Sequence, residues 1–337
     1  MLSKEVLRRI SELNRQAPAS QVAEAHGPSP HAVDAGAVVA KWRAQLARAR
    51  QAGQPTNARP GESMSPPAWR EPVHDGNLHD LPPGRELETP VGAHYIIERP
   101  LDELWRQGQR WLQRWSRSRR VPVASGQHIE PPARREPKWL ADLNGLRQAL
   151  PDSVMFLDLE TCGFSGSMVF LVGLLVAGPK GMTLVQLFAR HYGEERAIMH
   201  TLWQIASQQT VLATYNGKSF DWPVVRDRTV LHRLERHGPL AEEEIAHCDL
   251  LHQCRRQWRH ELPNCKLQTL ERHICGRRRT GDIPGRDIPD AYHQYVRSRD
   301  AYAMRGVLHH NALDLVTLFQ LTLTLLEREE LAIRESA

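Results

Sequence analysis

The sequence predicts an α/β protein, in which helices flank a mixed β-sheet and a disordered N-terminal tail precedes it. Three observations support this prediction. Three apolar runs separated by short turns follow residue 154, helical and extended periodicity then alternate, and the first 85 residues lack the apolar side chains of a core. A length of 337 residues suits one large domain with appendages.

The composition is compatible with a polyanionic partner without identifying one. The net charge is +5 and the isoelectric point is about 9.1. The five cysteines lack the spacing of a zinc knuckle, so we expect free thiols in a reducing, cytoplasmic environment. Neither a secretory signal nor an apolar stretch long enough to span a membrane is predicted.

Residues 1–85 are predicted to be the disordered tail. They are rich in Ala, Pro, Arg, Gln and Ser, and their only large aromatic side chains are Trp42 and Trp69. A segment with so little apolar surface cannot offset the conformational entropy that folding removes.

Residues 86–137 are predicted to hold a hairpin over 86–98, an amphipathic basic helix and a linker over 121–137. In the helix, tryptophans such as Trp105 recur at helical spacing, and arginines occupy other faces. We favour docking of the tryptophans on the main domain. The alternative is a basic, aromatic contact with nucleic acid.

Residues 138–331 are predicted to form the main domain. The expected order is β-β-β-α-β-α, followed by a helical remainder. Apolar runs predict strands from residue 154 and over 168–177, 182–190 and 210–215, and helical periodicity predicts helices over 193–208 and 220–236.

Acidic side chains stand at notable places in this domain. Asp158 and Glu160 end the first strand on the same face, where they repel each other unless a cation lies between them. Asp221 follows a strand–loop–helix junction, and Asp314 lies on the first turns of the last helix, four residues after His310. Any one of these acids by itself could be a capping or turn residue.

Together the four carboxylates predict a site for two divalent cations, Mg²⁺ or Mn²⁺, which prefer oxygen ligands. Asp158 would bridge both ions, Glu160 and Asp314 would complete one site, and Asp221 would hold the other. Such a pair stabilises the attacking and leaving oxygens in phosphodiester hydrolysis. His310 would take a proton from the attacking water.

Basic and aromatic residues near these acids predict contacts with nucleic acid. The triplet Arg277, Arg278 and Arg279 could hold phosphates or form a solvated helical face. Further candidates in the loop before Asp221 are Asn216, Lys218 and Phe220.

Several motifs together carry a family resemblance. They are Phe156-Leu-Asp-Leu-Glu-Thr-Cys-Gly163, Phe170-Leu-Val-Gly173, Thr214-Tyr-Asn-Gly-Lys-Ser-Phe-Asp-Trp-Pro223, Asp249-Leu-Leu-His252, Leu262-Pro-Asn-Cys-Lys-Leu267, Gly281-Asp-Ile-Pro284 and His310-Asn-x-x-Asp314. The chain resembles the ribonuclease H-like superfamily, specifically the DEDD 3′–5′ exonuclease group and its YprB-type domain family, over about residues 150–328. The resemblance implies a ribonuclease H-like fold and a nuclease site dependent on Mg²⁺ or Mn²⁺.

The resemblance leaves the general base and the mode of cleavage open. DEDD enzymes place a histidine five residues, or a tyrosine four residues, before the last aspartate. His309 fits the first spacing and His310 the second, and we predict His310 as the base with His309 as the alternative. The leading hypothesis is a nuclease that trims from a 3′ end. The alternatives are an endonuclease with the same site and a non-catalytic nucleic-acid-binding module.

Overall fold

A mixed β-sheet with helices on both faces forms the framework of the protein in a computed structural model. Its eight strands have the order β1-β2-β3-β6-β5-β4-β7-β8. The structure describes residues 33–34, 77–105, 108, 110, 112–113, 137–163, 167–178, 181–234, 245–279 and 281–335. The prediction of an α/β fold with a mixed sheet flanked by helices is confirmed.

The predicted three-stranded meander forms the centre of the sheet. β4 (Val154–Thr161), β5 (Val169–Gly178) and β6 (Gly181–Phe188) pair antiparallel in sequence order. The predicted hairpin consists of β2 (Arg85–Thr89) and β3 (Gly92–Pro100), and β3 extends the sheet by pairing antiparallel with β6.

On the other side of β4 the sheet becomes parallel. β7 (Val211–Thr214) pairs with β4, and β8 (Ala246–Asp249) pairs with β7. β8 corrects the prediction of a purely helical remainder. Its four residues, Ala-His-Cys-Asp, include no β-branched or large aromatic side chain and are too few to predict a strand, which forms by pairing with β7.

Eight helices are seen among the described residues. They are α1 (Leu101–Leu104), α2 (Lys138–Ala149), α3 (Glu195–Ala206), α4 (Asp221–Leu231), α5 (Leu250–Trp258), α6 (Leu267–His273), α7 (Ile288–Ser298) and α8 (Tyr302–Glu335). Two single turns of 3₁₀-helix precede α3 and α7. α8 begins earlier than predicted, so Asp314 lies well inside the helix rather than on its first turns.

The two faces of the sheet bury different parts of β4. Phe156 packs edge-on against Phe319 of α8, with ring centroids 5.6 Å apart. Met155 and Leu157 point to the opposite face and belong to the cluster that contains Trp203 of α3. Because side chains alternate along a strand, Asp158 shares the α8 face with Phe156.

The region before the meander adds to this core. Trp105 is fully buried and lies edge-on to Phe319, as expected for a tryptophan docked on the main domain. The other tryptophans of the predicted basic helix, and residues 121–136 of the predicted linker, lie outside the described residues.

Part of the predicted tail lies among the described residues. Val33–Asp34 forms β1, which pairs parallel with β2. The backbone carbonyl of His79 accepts a hydrogen bond from the Ala301 backbone at 2.9 Å, and that of Asp80 accepts one from Arg305 at 2.8 Å. The described contacts with the domain therefore extend to residues before 85, and the rest of the predicted tail lies outside the described residues.

In the described part of the chain, no helix has the length and apolar character needed to cross a membrane. All five cysteines are free thiols.

Candidate active site

Four carboxylates from three elements meet at one edge of the sheet. Asp158 and Glu160 lie on β4, Asp221 is the first residue of α4, and Asp314 lies on α8. β4 and β7 are parallel neighbours, so the loop after β7 delivers Asp221 to the edge where β4 ends. All four side chains are half-buried, within electrostatic reach of one another.

The surroundings disfavour four negative charges in this place. Burial raises the pKa of Asp158 well above its usual range, and the charges of Asp314, Glu160 and Asp221 raise it further. Burial also raises the pKa of Glu160 to about 8 and that of Asp221 to about 7. A cluster of this kind needs protons or cations to balance its charge.

Asp249 holds the loop that positions Asp221. Its Oδ1 accepts the backbone N–H of Asn216 at 2.7 Å, and its Oδ2 accepts that of Lys218 at 3.1 Å. Oδ1 also accepts the Leu251 N–H at 3.0 Å, which caps α5. Asp249 is buried and ties β8, this loop and α5 together, a structural role that the sequence prediction missed.

His310, and not His309, joins the acid cluster. Its Nε2 lies 3.4 Å from Oδ2 of Asp314, and its Nδ1 lies 2.8 Å from Oδ1 of Asp282. Burial lowers the pKa of His310, but the hydrogen bond to Asp282 and the charges of Asp314 and Glu160 outweigh burial and raise it. His309 is turned about 100° away around the helix.

The arginine triplet does not present three cations to solvent. Arg277 is buried, and its Nη2 donates to Thr317 Oγ1 at 2.8 Å. Arg279 is also enclosed: its Nη2 pairs with Asp314 and lies 2.7 Å from Glu271 Oε2. Only Arg278 of the three is exposed.

This placement corrects the prediction for two of the three arginines. The Arg277 and Arg279 guanidiniums contact groups of their own chain, so neither is available to hold a phosphate in this conformation. Nη1 of Arg279 also lies 3.2 Å from Asp282 Oδ2, which joins it to the acid that contacts His310.

The predicted nucleic-acid contacts in the loop before Asp221 are better placed. Phe220 is 65% exposed, immediately before Asp221. Asn216 and Lys218 are half-buried, and the Lys218 ammonium lies 3.8 Å from Asp142 Oδ2. The loop thus offers an aromatic face and a cation beside the acids.

Asn311 is the main functional candidate that the prediction omitted, although it stands within the quoted motif His310-Asn-x-x-Asp314. Its Nδ2 donates to Asp158 Oδ2 at 2.8 Å. The available signals were two breaks in apolar strands: Gly173 in β5 and Gln186 in β6 both adjoin this amide. Asp282 stands in another quoted motif, and its contact with His310 was also not predicted.

The chemistry of the donor set fits divalent cations, since the four carboxylates offer only hard oxygen ligands. Among the residues that the structure describes, however, no three His, Cys, Asp or Glu side chains are arranged to hold an ion as they stand. The guanidinium of Arg279 engages Asp314 and supplies positive charge there. Cation binding would therefore require Arg279 to release Asp314.

Comparison with known proteins supplies the family. The family model that describes the RNase H superfamily matches residues 155–326. The uncharacterized protein YprB of Bacillus subtilis (strain 168) is 35% identical over 173 residues, which cover 50% of this chain and 41% of YprB. The chain thus matches less than half the length of that relative.

Among solved structures, the family B DNA polymerase of the hyperthermophilic archaeon Pyrobaculum calidifontis is similar to this chain. The similar region covers 51% of this chain and 24% of the polymerase chain. The TM-score is 0.41 and the identity 17%, values too low to support an argument. The family model, in contrast, covers half of the chain and contains all four acids and His310. The chain therefore belongs to the RNase H superfamily, and over the matched half it is similar to YprB.

Proposed function

We propose that this protein is a divalent-cation-dependent nuclease that hydrolyses phosphodiester bonds and trims nucleic acid from the 3′ end. One observation carries the proposal: Asp158, Glu160, Asp221 and Asp314 converge around His310 at one edge of the sheet of an RNase H-superfamily domain. A purely structural role would not need four half-buried carboxylates that raise one another's pKa values.

The carboxylates would hold two ions of Mg²⁺ or Mn²⁺. Asp158 would be shared between them, Glu160 and Asp314 would complete one site, and Asp221 would hold the other. Bound cations of this kind stabilise the charge that develops on the attacking and leaving oxygens of a phosphodiester.

His310 would accept the proton of the attacking water. Because an ionised carboxylate only accepts hydrogen bonds, the contact with Asp282 places a proton on Nδ1 and leaves Nε2 to exchange one. Burial raises the pKa of Asp282, but the hydrogen bonds and positive charges of His310 and Arg279 together outweigh burial and lower it, which favours the ionised acid. Nε2 is the ring nitrogen that faces Asp314.

The loop before Asp221 would hold the substrate. Phe220 offers an exposed ring on which a base can stack, and Lys218 can approach a phosphate. Arg278, which is exposed and immediately precedes Arg279 in the chain, is a further candidate for a phosphate contact.

The test uses oligonucleotides labelled at the 5′ end: single- and double-stranded, DNA and RNA. Each is incubated with the protein and Mn²⁺, Mg²⁺ or EDTA. A cation-dependent ladder that shortens by one nucleotide at a time supports the proposal. Discrete internal cuts would show an endonuclease, and a gel shift without cleavage would show a non-catalytic binding module.

Asp158→Asn is the matched control, because it removes the charge of the shared ligand and keeps its shape. Outer-shell partners of a metal ligand typically contribute 10- to 100-fold, so loss of this ligand should reduce cleavage by more than about 100-fold. In EDTA the variant should unfold at the same or a higher temperature, because one repelling charge is gone. Full activity of Asp158→Asn would exclude this site.

A further inference from the structure

Asp158 accepts hydrogen bonds from a buried side-chain amide of α8. Asn311 is fully buried, and its Nδ2 donates to Asp158 Oδ2 at 2.8 Å and to the Asp158 backbone carbonyl at 3.2 Å. The amide therefore holds both the carboxylate and the main chain of one residue. Only one of the two carboxylate oxygens, Oδ2, is used in this contact.

A gap in the sheet admits this amide. Asp158 of β4 lies opposite Gly173 of β5, which lies opposite Gln186 of β6, so the three residues form one row across the sheet. Residues opposite each other share a face. A Cβ atom at Gly173 would lie 2.1 Å from Oδ1 of Asn311, so only glycine leaves room for the amide between its two neighbours.

Gln186 fixes which way the amide points. Its Nε2 donates to Asn311 Oδ1 at 2.9 Å and to the Leu308 carbonyl at 2.7 Å. Gln186 is itself fully buried, so its NH₂ group must donate to protein acceptors rather than to bulk water. With Oδ1 taken by Gln186, the NH₂ group of Asn311 must face Asp158. If the amide were reversed, its NH₂ group would face the NH₂ group of Gln186, and its oxygen would face the carboxylate of Asp158.

We propose that Asn311, admitted by Gly173 and oriented by Gln186, is a positioning residue that holds Asp158 in the rotamer needed to bind divalent cations. The hydrogen bond occupies Oδ2 of Asp158, so Oδ1 is the oxygen left for cation binding. This inference rests on the proposed function, since it assigns the amide a role toward the ligand at the centre of that site.

A role in folding alone would predict a different result. A buried amide that only supports the fold would, once removed, lower stability without changing the affinity of the remaining carboxylates for a cation. Affinity for Mn²⁺, measured on folded protein, separates the two roles.

The experiment compares the natural chain with Asn311→Ala, Gln186→Leu and the control Thr322→Val. Thr322 is also fully buried on α8, about two helical turns beyond Asp314, and its hydroxyl donates to the Leu318 carbonyl at 3.0 Å. Isothermal titration with MnCl₂ gives the affinity, thermal unfolding in EDTA verifies folding, and oligonucleotide cleavage gives kcat and KM.

We expect Asn311→Ala to bind Mn²⁺ about 10- to 100-fold more weakly, with a lower kcat and a nearly unchanged KM for the oligonucleotide. Gln186→Leu should lose affinity in the same direction and by less, since the amide remains but is free to turn. Thr322→Val should bind Mn²⁺ like the natural chain. Gln186→Leu provides the test if Asn311→Ala does not fold.

Natural affinity for Mn²⁺ in folded Asn311→Ala, or in folded Gln186→Leu if only that variant folds, would overturn the inference while leaving the proposed function intact. Mn²⁺ binding by the natural chain that weakens in Asn311→Ala, with no cleavage by either protein, would overturn the proposed nuclease and keep the positioning role. Absence of Mn²⁺ binding by the natural chain would overturn both.

Discussion

His310 and Asp282 are joined by a hydrogen bond of 2.8 Å between Nδ1 and Oδ1. The carboxylate holds one edge of the ring while Nε2, on the other edge, lies 3.4 Å from Asp314. In such an arrangement the carboxylate of Asp282 fixes both the tautomer and the orientation of the His310 ring.

Replacing the two histidines separately tests this arrangement. His310→Ala should lower kcat by roughly 10²- to 10⁴-fold, the usual contribution of a general base, while His309→Ala should change it little. Asp282→Asn should give an intermediate loss, because the ring remains but is no longer held by an ionised acceptor. Single-turnover cleavage of a labelled oligonucleotide gives these rates, and a larger loss in His309→Ala would reverse the assignment.

Arg279 should stabilise the protein in the absence of cations. Its side chain is 7% exposed and is shared by Glu271, Asp282 and Asp314. Removing one partner from a buried ion pair typically costs about 3–5 kcal/mol, so Arg279→Gln in EDTA should lower the free energy of unfolding by roughly 3 kcal/mol. Added Mn²⁺ should then raise its unfolding temperature more than that of the natural chain, because Asp314 is free to bind.

The exposed neighbour Arg278 supplies the control for that measurement. Arg278→Gln removes the same charge from the surface and should change the free energy of unfolding by less than about 0.5 kcal/mol. Urea denaturation of both variants, with EDTA and with Mn²⁺, makes the comparison. Equal stability of the two variants would contradict the structural role given to Arg279.

Phe220 should contribute to substrate binding and not to folding, because its ring is 65% exposed. Stacking of a base on an aromatic side chain contributes about 1–3 kcal/mol, so Phe220→Ala should raise KM for single-stranded oligonucleotides by roughly 5- to 150-fold. Leu231, 51% exposed at the other end of α4, is the matched control, and Leu231→Ala should leave KM unchanged. An equal KM in Phe220→Ala and the natural chain would remove Phe220 from the binding surface.

His94 should make the protein sensitive to mild acid. Its ring is fully buried, with Nε2 2.8 Å from Thr201 Oγ1, and burial lowers its pKa to about 4 despite the hydrogen bond to the Tyr95 backbone. Between pH 6.5 and 4, His94 is protonated in the unfolded chain and neutral in the folded chain. The free energy of unfolding therefore falls as the pH falls. At about 1.4 kcal/mol per pKa unit, the loss approaches about 2 kcal/mol by pH 5.

The variant His94→Gln isolates this effect. The acid cluster acts in the opposite direction, because its raised pKa values make the folded state the better proton binder as the pH falls. The measurement is therefore the difference between the natural chain and the variant in urea denaturation at pH 7, 6 and 5. Parallel pH profiles would show that His94 is not held neutral in the folded state.

Local pattern alone predicted the strands at the centre of the sheet and which acidic side chains share a face. The runs that became β4, β5, β6 and β7 are mostly apolar, so their own pattern predicts buried strands. Asp158 and Glu160 are two residues apart on a strand and His310 and Asp314 four apart on a helix, so each pair shares a face by geometry of the backbone.

Only the tertiary structure decided which groups those side chains contact. The four residues of β8 form a strand because β7 offers them a parallel edge, and Arg279 turns inward because Glu271, Asp282 and Asp314 are gathered around it. Asn311 meets Asp158 from 153 residues away in the chain, through a gap left by Gly173. Periodicity records which face of an element is buried, whereas hydrogen bonds and ion pairs depend on strand order and helix docking, which no short stretch of sequence contains.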